Sequence, residues 1–464
     1  MSNVRNSVCI ILWTCILFCT GDLVKLSLAC PVLCSCFTES GSLITSIKCN
    51  FGGVDPENYS SLFPFVLPIN TSIVELQQVA GPLFFDLAAF VDLSWHAVQE
   101  LTINDSTAKD WYVSNNSMHG LDNLKVLRMH LFIGSLESGV FLHTADVETL
   151  DLSNNPFLSF DYVSTALHYA MPNLRYLDLT RIQRRTEDPI VLGTKFTESI
   201  RTKPLEILNV SETNLAMFDS SFNYSSIQVL NISRNSLQWI SRDPNHEWFP
   251  NLRELDISHS TLPLLLELNV RPNVVLDSHK KCFTFLRSLR YLYAHDIEFR
   301  FFLRIQNGYI SASCGSVLEF IDISNLNLRW LNFSTSLDLL HLKTLIVSRN
   351  ALEYISPNFF RSFQKMNELR LQHNNLGTMQ YFPHFEDIFS KNEALEILDV
   401  SWNSLSFLPR KLFAFLPNLK ELNLQGNRIV HFDIEIRDLH NLRTLAAGRL
   451  NPTKWVFEQK MLVF

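Results

Sequence analysis

The chain has 464 residues, 47% hydrophobic and 18% charged, with a formal net charge of −7. This is the composition of a folded protein, in a chain too long for one ordinary hydrophobic core. The net negative charge supplies no global field that would favour nucleic acid as a partner.

Residues 1–21 read as a secretory signal peptide. Arg5 is the positive start, Val8 to Cys19 the apolar core, and Cys19-Thr-Gly21 a small-residue cleavage site. A cut after Ala29 lies rather far from that core. The core is too short to span a bilayer, and no later stretch reaches 18 apolar residues, so no membrane span is expected in the chain as written. The expected location is secreted, or on the extracellular face of the membrane.

Residues 22–72 are expected to form a cysteine cap and a first irregular coil. Of nine cysteines, Cys9, Cys15 and Cys19 fall in the signal, leaving an even six for an oxidising compartment. Cys30-Pro-Val-Leu-Cys34-Ser-Cys36 and then Cys49 sit just before the repeats, where a disulfide cap would cover the first coil's open apolar end. Four cysteines allow three pairings, and sequence does not choose among them. Zinc ligation is the competing reading, disfavoured by the signal peptide.

Residues 73–450 carry one returning pattern, apolar-x-x-apolar-x-apolar-x-x-Asn-x-apolar. Examples are Val147-Glu-Thr-Leu150-Asp-Leu152-Ser-Asn-Asn155, Ile227-Gln-Val-Leu230-Asn-Ile232-Ser-Arg-Asn235 and Leu395-Glu-Ile-Leu398-Asp-Val400-Ser-Trp-Asn403. Fourteen starts (position 1) are placed at Val98, Leu124, Val147, Leu174, Leu205, Ile227, Leu252, Leu289, Leu318, Leu342, Met366, Leu395, Leu419 and Leu442. The spacing is mostly 22 to 29 residues, with longer intervals of 31 after Leu174 and 37 after Leu252. That is the leucine-rich-repeat range, so the expected fold is an α/β leucine-rich-repeat solenoid, a horseshoe with a parallel concave β-sheet. Positions 4 and 6 alternate as a strand with one buried face does. The Asn at position 9 is suited to bond backbone groups that the bend leaves unpaired. Thr213, Ser260 and Leu326 occupy that slot in other units, where less regularity is expected.

Both long intervals are expected to leave the coil as protruding loops, Arg181 to Pro204 and Pro263 to Cys282. Cys282 and Cys314 lie just before the starts Leu289 and Leu318, at comparable sites on neighbouring coils. A bridge between them would close about thirty residues and contribute roughly 3–4 kcal/mol in the entropic model. Sequons occur at Asn58, Asn70, Asn104, Asn115, Asn209, Asn223, Asn231 and Asn332. Asn209 and Asn231 stand at the outward position 5 of adjacent coils, where glycans would mask part of the sheet; the repeat's own preference for Asp or Asn at 5 and Ser at 7 is the plainer explanation of both.

No catalytic motif, phosphate loop or spaced metal-ligand set is present, and no cofactor or enzymatic activity is expected. His259 and His373 fall at position 8 and are weak candidates for pH sensing against ordinary surface histidine. The stronger ligand-binding candidates are Arg290, Tyr291, Tyr293 and His295, with Phe320 in the next unit, because exposed aromatics beside arginine are hot-spot chemistry. Aromatic packing across an imperfect sheet would give the same pattern.

The chain resembles the ectodomain of a Toll-like receptor. The likeness rests on the Cys30-Pro-x-x-Cys34-x-Cys36 and Cys49 cap, the Phe-bearing repeats, the irregular middle units and the position-5 sequons, over roughly residues 30–450. It implies pairing of Cys30 with Cys36 and of Cys34 with Cys49. It also implies a protein or microbial ligand on the concave or lateral face of a horseshoe that forms homo- or heterodimers, in innate immunity. That family also carries a carboxy-terminal cysteine cap, a transmembrane helix and a signalling domain. Here the last repeat runs into an uncapped tail, residues 451–464, so a truncated product that binds without signalling is expected. A secreted structural or adhesion protein is the alternative.

Overall fold

The computed structural model describes residues 30–38, 44–54, 66–68, 70–79, 89–104, 111–183, 188–218, 224–237, 249–261, 288–297, 317–331, 339–430 and 439–448. The chain divides into two compact units, residues 1–187 with 192–209, and residues 188–191 with 210–464.

The first unit opens on an antiparallel pair, Cys34–Thr38 against Ile44–Asn50, which sets Cys34 opposite Cys49. Disulfides join Cys30 to Cys36 and Cys34 to Cys49. This is the pairing implied by the resemblance, and it leaves none of the four thiols for zinc. From Ile44–Asn50 the strands run parallel through Ile73–Gln77, Glu100–Asn104, Val126–His130, Thr149–Asp151, Tyr176–Asp178 and Ile207–Asn209. The second unit repeats the arrangement from Val229–Asn231 to Thr444–Ala446. Its position-4 residues Leu230, Leu255, Leu292, Ile321, Leu345, Leu369, Leu398, Leu422 and Leu445 lie opposite one another in register. Each unit is therefore a parallel-strand β-solenoid.

Sequence period explains the core. Position 1 is 3% exposed or less at every start from Val98 to Leu419, while Leu442 is half-buried. Burying an aliphatic side chain contributes about 1.5–3 kcal/mol, so one such column of leucines stabilises the stack at every coil. Across the coil from the strands the chain runs mostly through turns and short 3₁₀ segments such as Phe360–Ser362 and Leu376–Tyr381. Phe141, Phe360, Phe363 and Phe413 are fully buried there, and the Phe360 ring lies 5.7 Å from Phe389 of the next coil.

The position-9 asparagines satisfy the backbone as their chemistry predicts. The Asn235 amide donates to the carbonyls of Ile232 and, one coil back, Val210, and its Oδ1 accepts from the N–H groups of Thr213 and Leu215. Asn155, Asn350 and Asn403 repeat the motif. Position 8 is left-handed from Asn154 to Gly426, with φ between 50° and 72°. Its N–H donates to the position-7 carbonyl of the following coil, as His259 does to His295. An Asp or Asn at position 5 accepts from the N–H of position 7, as Asp151 does from Ser153 and Asn231 from Ser233. That bond closes an Asx turn at the strand's end.

Three expectations change. The strand stack begins earlier than Val98: Ile73–Gln77 is a full coil whose position 1 is the buried Thr71, its hydroxyl donating to the Pro68 carbonyl, so an apolar pattern passes over it. The long interval after Leu174 is not wholly a loop. Residues 188–200 form the strand Ile190–Leu192 and the helix Thr194–Ile200, whose Phe196 packs edge-on against Phe160 of the helix Phe160–Leu167. The strand ladder also keeps its register where Thr213, Ser260 and Leu326 replace Asn. Thr213 and Ser260 recover part of the bonding by donating their hydroxyls to the carbonyls of Val210 and Ile232. Residues 1–29, Pro263 to Cys282, Cys314 and 451–464 lie outside the described residues, and with them the signal, the second long interval, the second disulfide and the tail.

Candidate ligand-binding face

Positions 3 and 5 of each strand point to solvent, and in the second unit they assemble one distinctive patch. Register sets Glu254 beside Tyr291 and Tyr291 beside Phe320; in the neighbouring row Asp256, Tyr293 and Asp322 align. The Tyr293 and Phe320 rings lie 4.9 Å apart and those of Tyr291 and Phe320 6.4 Å. Tyr291 is 37% exposed, and Tyr293 and Phe320 are half-buried. Joined through Phe320, the three rings make an apolar platform.

Its surroundings are acidic. Burial raises the Glu254 carboxyl above its ordinary value, and the Asp256 charge adds to the effect. Burial also raises the Tyr293 phenol, with Glu254, Asp256, Tyr291 and Asp322 adding to the shift. No Lys or Arg among the described residues pairs with Glu254, Asp256 or Asp322; Asp256 accepts from the Ser258 N–H and Asp322 from the Ser324 N–H.

Of the sequence candidates, Tyr291, Tyr293 and Phe320 come together. Arg290 does not join them. It stands at position 2, where its guanidinium pairs with Glu319 at 3.3 Å and Lys343 pairs with the same carboxylate at 2.6 Å. The Lys343 hydrogen bond, with the charges of Lys343, Arg290 and His341, outweighs burial and lowers the Glu319 carboxyl. His295 does not join them either. It stands at position 7 and bonds Asp296, at the strand's end, beside His259. Glu254, Asp256 and Asp322 were legible as position-3 and position-5 residues, but nothing in their spacing sets them apart from the acidic residues other coils carry there.

The sequons divide by place. Asn70 lies on an exposed left-handed turn and Asn115 is exposed. Asn104, Asn209 and Asn231 are half-buried at strand ends. Asn104 bonds His130 at 2.9 Å and Asn209 donates to Asp178 at 3.0 Å. Asn58, Asn223 and Asn332 lie outside the described residues. His373 stacks on the exposed Trp402 at 5.6 Å.

Among the described residues no helix is long and apolar enough to cross a membrane.

The Leucine rich repeat family pattern matches residues 387–449. Human Toll-like receptor 3 is 24% identical over 354 residues, 67% of this chain and 36% of that protein. Mouse CD180 antigen is 23% identical over 361 residues, 76% of this chain and 48% of that protein. An adenylate cyclase of Schizosaccharomyces pombe is 26% identical over 352 residues, 69% of this chain but 18% of that protein. The chain thus spans about half the length of these relatives or less. Among solved structures, the mouse RP105/MD-1 complex superimposes with a TM-score of 0.59 at 16% identity, covering 88% of this chain and 64% of that one. The TLR13-ssRNA13 complex gives 0.57 at 18% identity, covering 82% and 58%. The repeat motif, the disulfide-capped parallel solenoid and these likenesses agree on the fold: the chain is a leucine-rich-repeat solenoid similar to Toll-like receptor ectodomains.

Proposed function

We propose that this chain is a non-catalytic, extracellular ligand-binding ectodomain acting in innate-immune recognition, and that it holds a basic protein ligand on the strand face formed by Glu254–Asp256, Tyr291–Tyr293 and Phe320–Asp322. The carrying observation is the Tyr291, Tyr293 and Phe320 platform set among acidic groups that no Lys or Arg among the described residues pairs with. Rings held rigidly on a sheet bind at low entropic cost, and a cationic partner would offset the burial and the Asp256 charge that together raise Glu254. The cap disulfides and the receptor relatives support the extracellular setting. The comparison structure named for MD-1 supports a protein ligand. Single-stranded RNA, named with TLR13, is disfavoured at this acidic face. A homo- or heterodimer sharing the ligand is part of the reading.

The test is capture by the immobilised, secreted chain of microbial and host secreted proteins fractionated by charge. A bound protein that Tyr293→Ala/Phe320→Ala and Glu254→Gln/Asp256→Asn each weaken at least about tenfold, while Arg128→Ala in the first unit leaves it unchanged, supports the reading. A bound protein indifferent to both double variants overturns the assignment of the face.

A further inference from the structure

At the end of the same strands, position 8 of one coil and positions 7 and 8 of the next bring His259, His295 and Asp296 together. One ligand atom from each lies within 4.8 Å of the others. The His295 Nδ1 to Asp296 Oδ2 distance is 2.8 Å and the His259 Nε2 to Asp296 Oδ2 distance is 3.7 Å. Tetrahedral zinc with bonds of about 2.0–2.1 Å requires ligand-to-ligand edges of about 3.3 Å, and the two measured edges bracket that value. The imidazoles meet edge to face, at 85° with centroids 5.0 Å apart, and are not stacked.

The frame is rigid. His259 and Asp296 both occupy the left-handed position, and their N–H groups donate to the carbonyls of His295 and Ser324. Asn325, at position 8 of the following coil, donates its amide to Asp296 Oδ1 and so leaves Oδ2 for the two histidines. An outer hydrogen bond that orients a carboxylate ligand is a usual companion of metal sites. On the other flank Arg234 is drawn toward Glu212, at 3.5 Å. His119 and His143 provide an internal contrast: their rings lie 4.9 Å apart, but among the described residues no carboxylate joins them in a ligand cluster.

The geometry points to a zinc site with three protein ligands, His259, His295 and Asp296, and a fourth position open to water or to a side chain of a bound partner. The two histidines and the carboxylate supply the imidazole and oxygen donors zinc accepts. The inference goes beyond the proposed ligand face and does not depend on it.

The test is titration of the secreted, chelator-treated chain with Zn²⁺ by calorimetry, and with Co²⁺ for the visible bands of four-coordinate cobalt. One equivalent should bind with those bands. His259→Gln/His295→Gln should abolish it, Asn325→Leu should weaken it about 10- to 100-fold, and His143→Gln should leave it unchanged. Circular dichroism checks that each variant folds. If the double variant misfolds, the cobalt spectrum of the unaltered chain decides: tetrahedral bands support the site, and six-coordinate bands overturn it. Equal zinc uptake by the chain and by a folded double variant would also overturn it. Failure here leaves the protein-binding face untouched, since its test uses other residues and no metal.

Discussion

On the first unit the outward strand residues satisfy one another. His130 lies 3.0 Å from Asp151 and 2.9 Å from Asn104, Tyr176 donates to Asp178 at 3.1 Å, and Asn209 donates to the same carboxylate. Burial, and then the neighbouring Asp178 charge, push the Tyr176 phenol up to about 12. On the second unit, built from the same coil, three rings and three acids stand at the same positions with like charges adjacent. The coil is thus indifferent to what its outward positions carry. A closed polar network has little free energy left to offer a ligand, whereas a platform whose acidic groups lack a cation partner among the described residues gains when one arrives.

The largest effects should show that the coil itself is common to both units. Asn155→Ala in the first and Asn403→Ala in the second each strip backbone groups of their partners, at a cost of about 3 kcal/mol or more. Chemical denaturation checks this; a loss in one unit only would mean that the ladder is not the shared element. Next in size is Lys203 of the first unit, buried with its amine donating to the Ala170 carbonyl and its pKa lowered by burial to about 8. Its pKa is near 10.4 when unfolded, so the unfolded chain binds the extra proton between these values and stability rises with pH across that window. Relative to Lys203→Met, the unaltered chain should gain on the order of 3 kcal/mol between pH 7 and 10.5. A flat difference would refute the burial argument.

Smaller still, and confined to binding, Tyr293→Ala should weaken ligand capture about tenfold or more, while Tyr176→Phe should leave it unchanged. Equal effects would erase the contrast between the two faces. The smallest effect concerns Asp151. Burial alone would raise its pKa, but hydrogen bonds from His130 and Ser153 bring it below its ordinary value. Its contribution is therefore present above an unfolded pKa of about 3.9 and fades as pH falls through the folded value. Asp151→Asn should cost no more than about 1 kcal/mol at neutral pH and nothing below that window, as acid titration of both forms would show.

Local periodicity carries a large part of this molecule. Leu150, Leu230, Leu345 and Leu398 line the interior because a strand with one buried face repeats every two residues, and the Asn155 and Asn235 ladders follow because a tight bend leaves backbone groups that an amide can bond. The coil at Ile73 escaped that reading because Thr71 fills an apolar slot by bonding its own turn. Residues 188–200 escaped it because an interval's length does not distinguish a loop from a helix packed on Phe160.

What the sequence by itself determined is therefore the coil: its period, its buried columns, its asparagine ladder and the position of its cysteine cap. What only the tertiary structure decided is adjacency between coils: that Tyr293 meets Phe320, that Arg290 is taken by Glu319, and that His259 meets His295 and Asp296. The physical reason is that alternation along a strand says only whether a residue faces in or out. Its neighbours across the sheet are set by interstrand register, over intervals as unequal as the 37 residues from Leu252 to Leu289 and the 29 from Leu289 to Leu318.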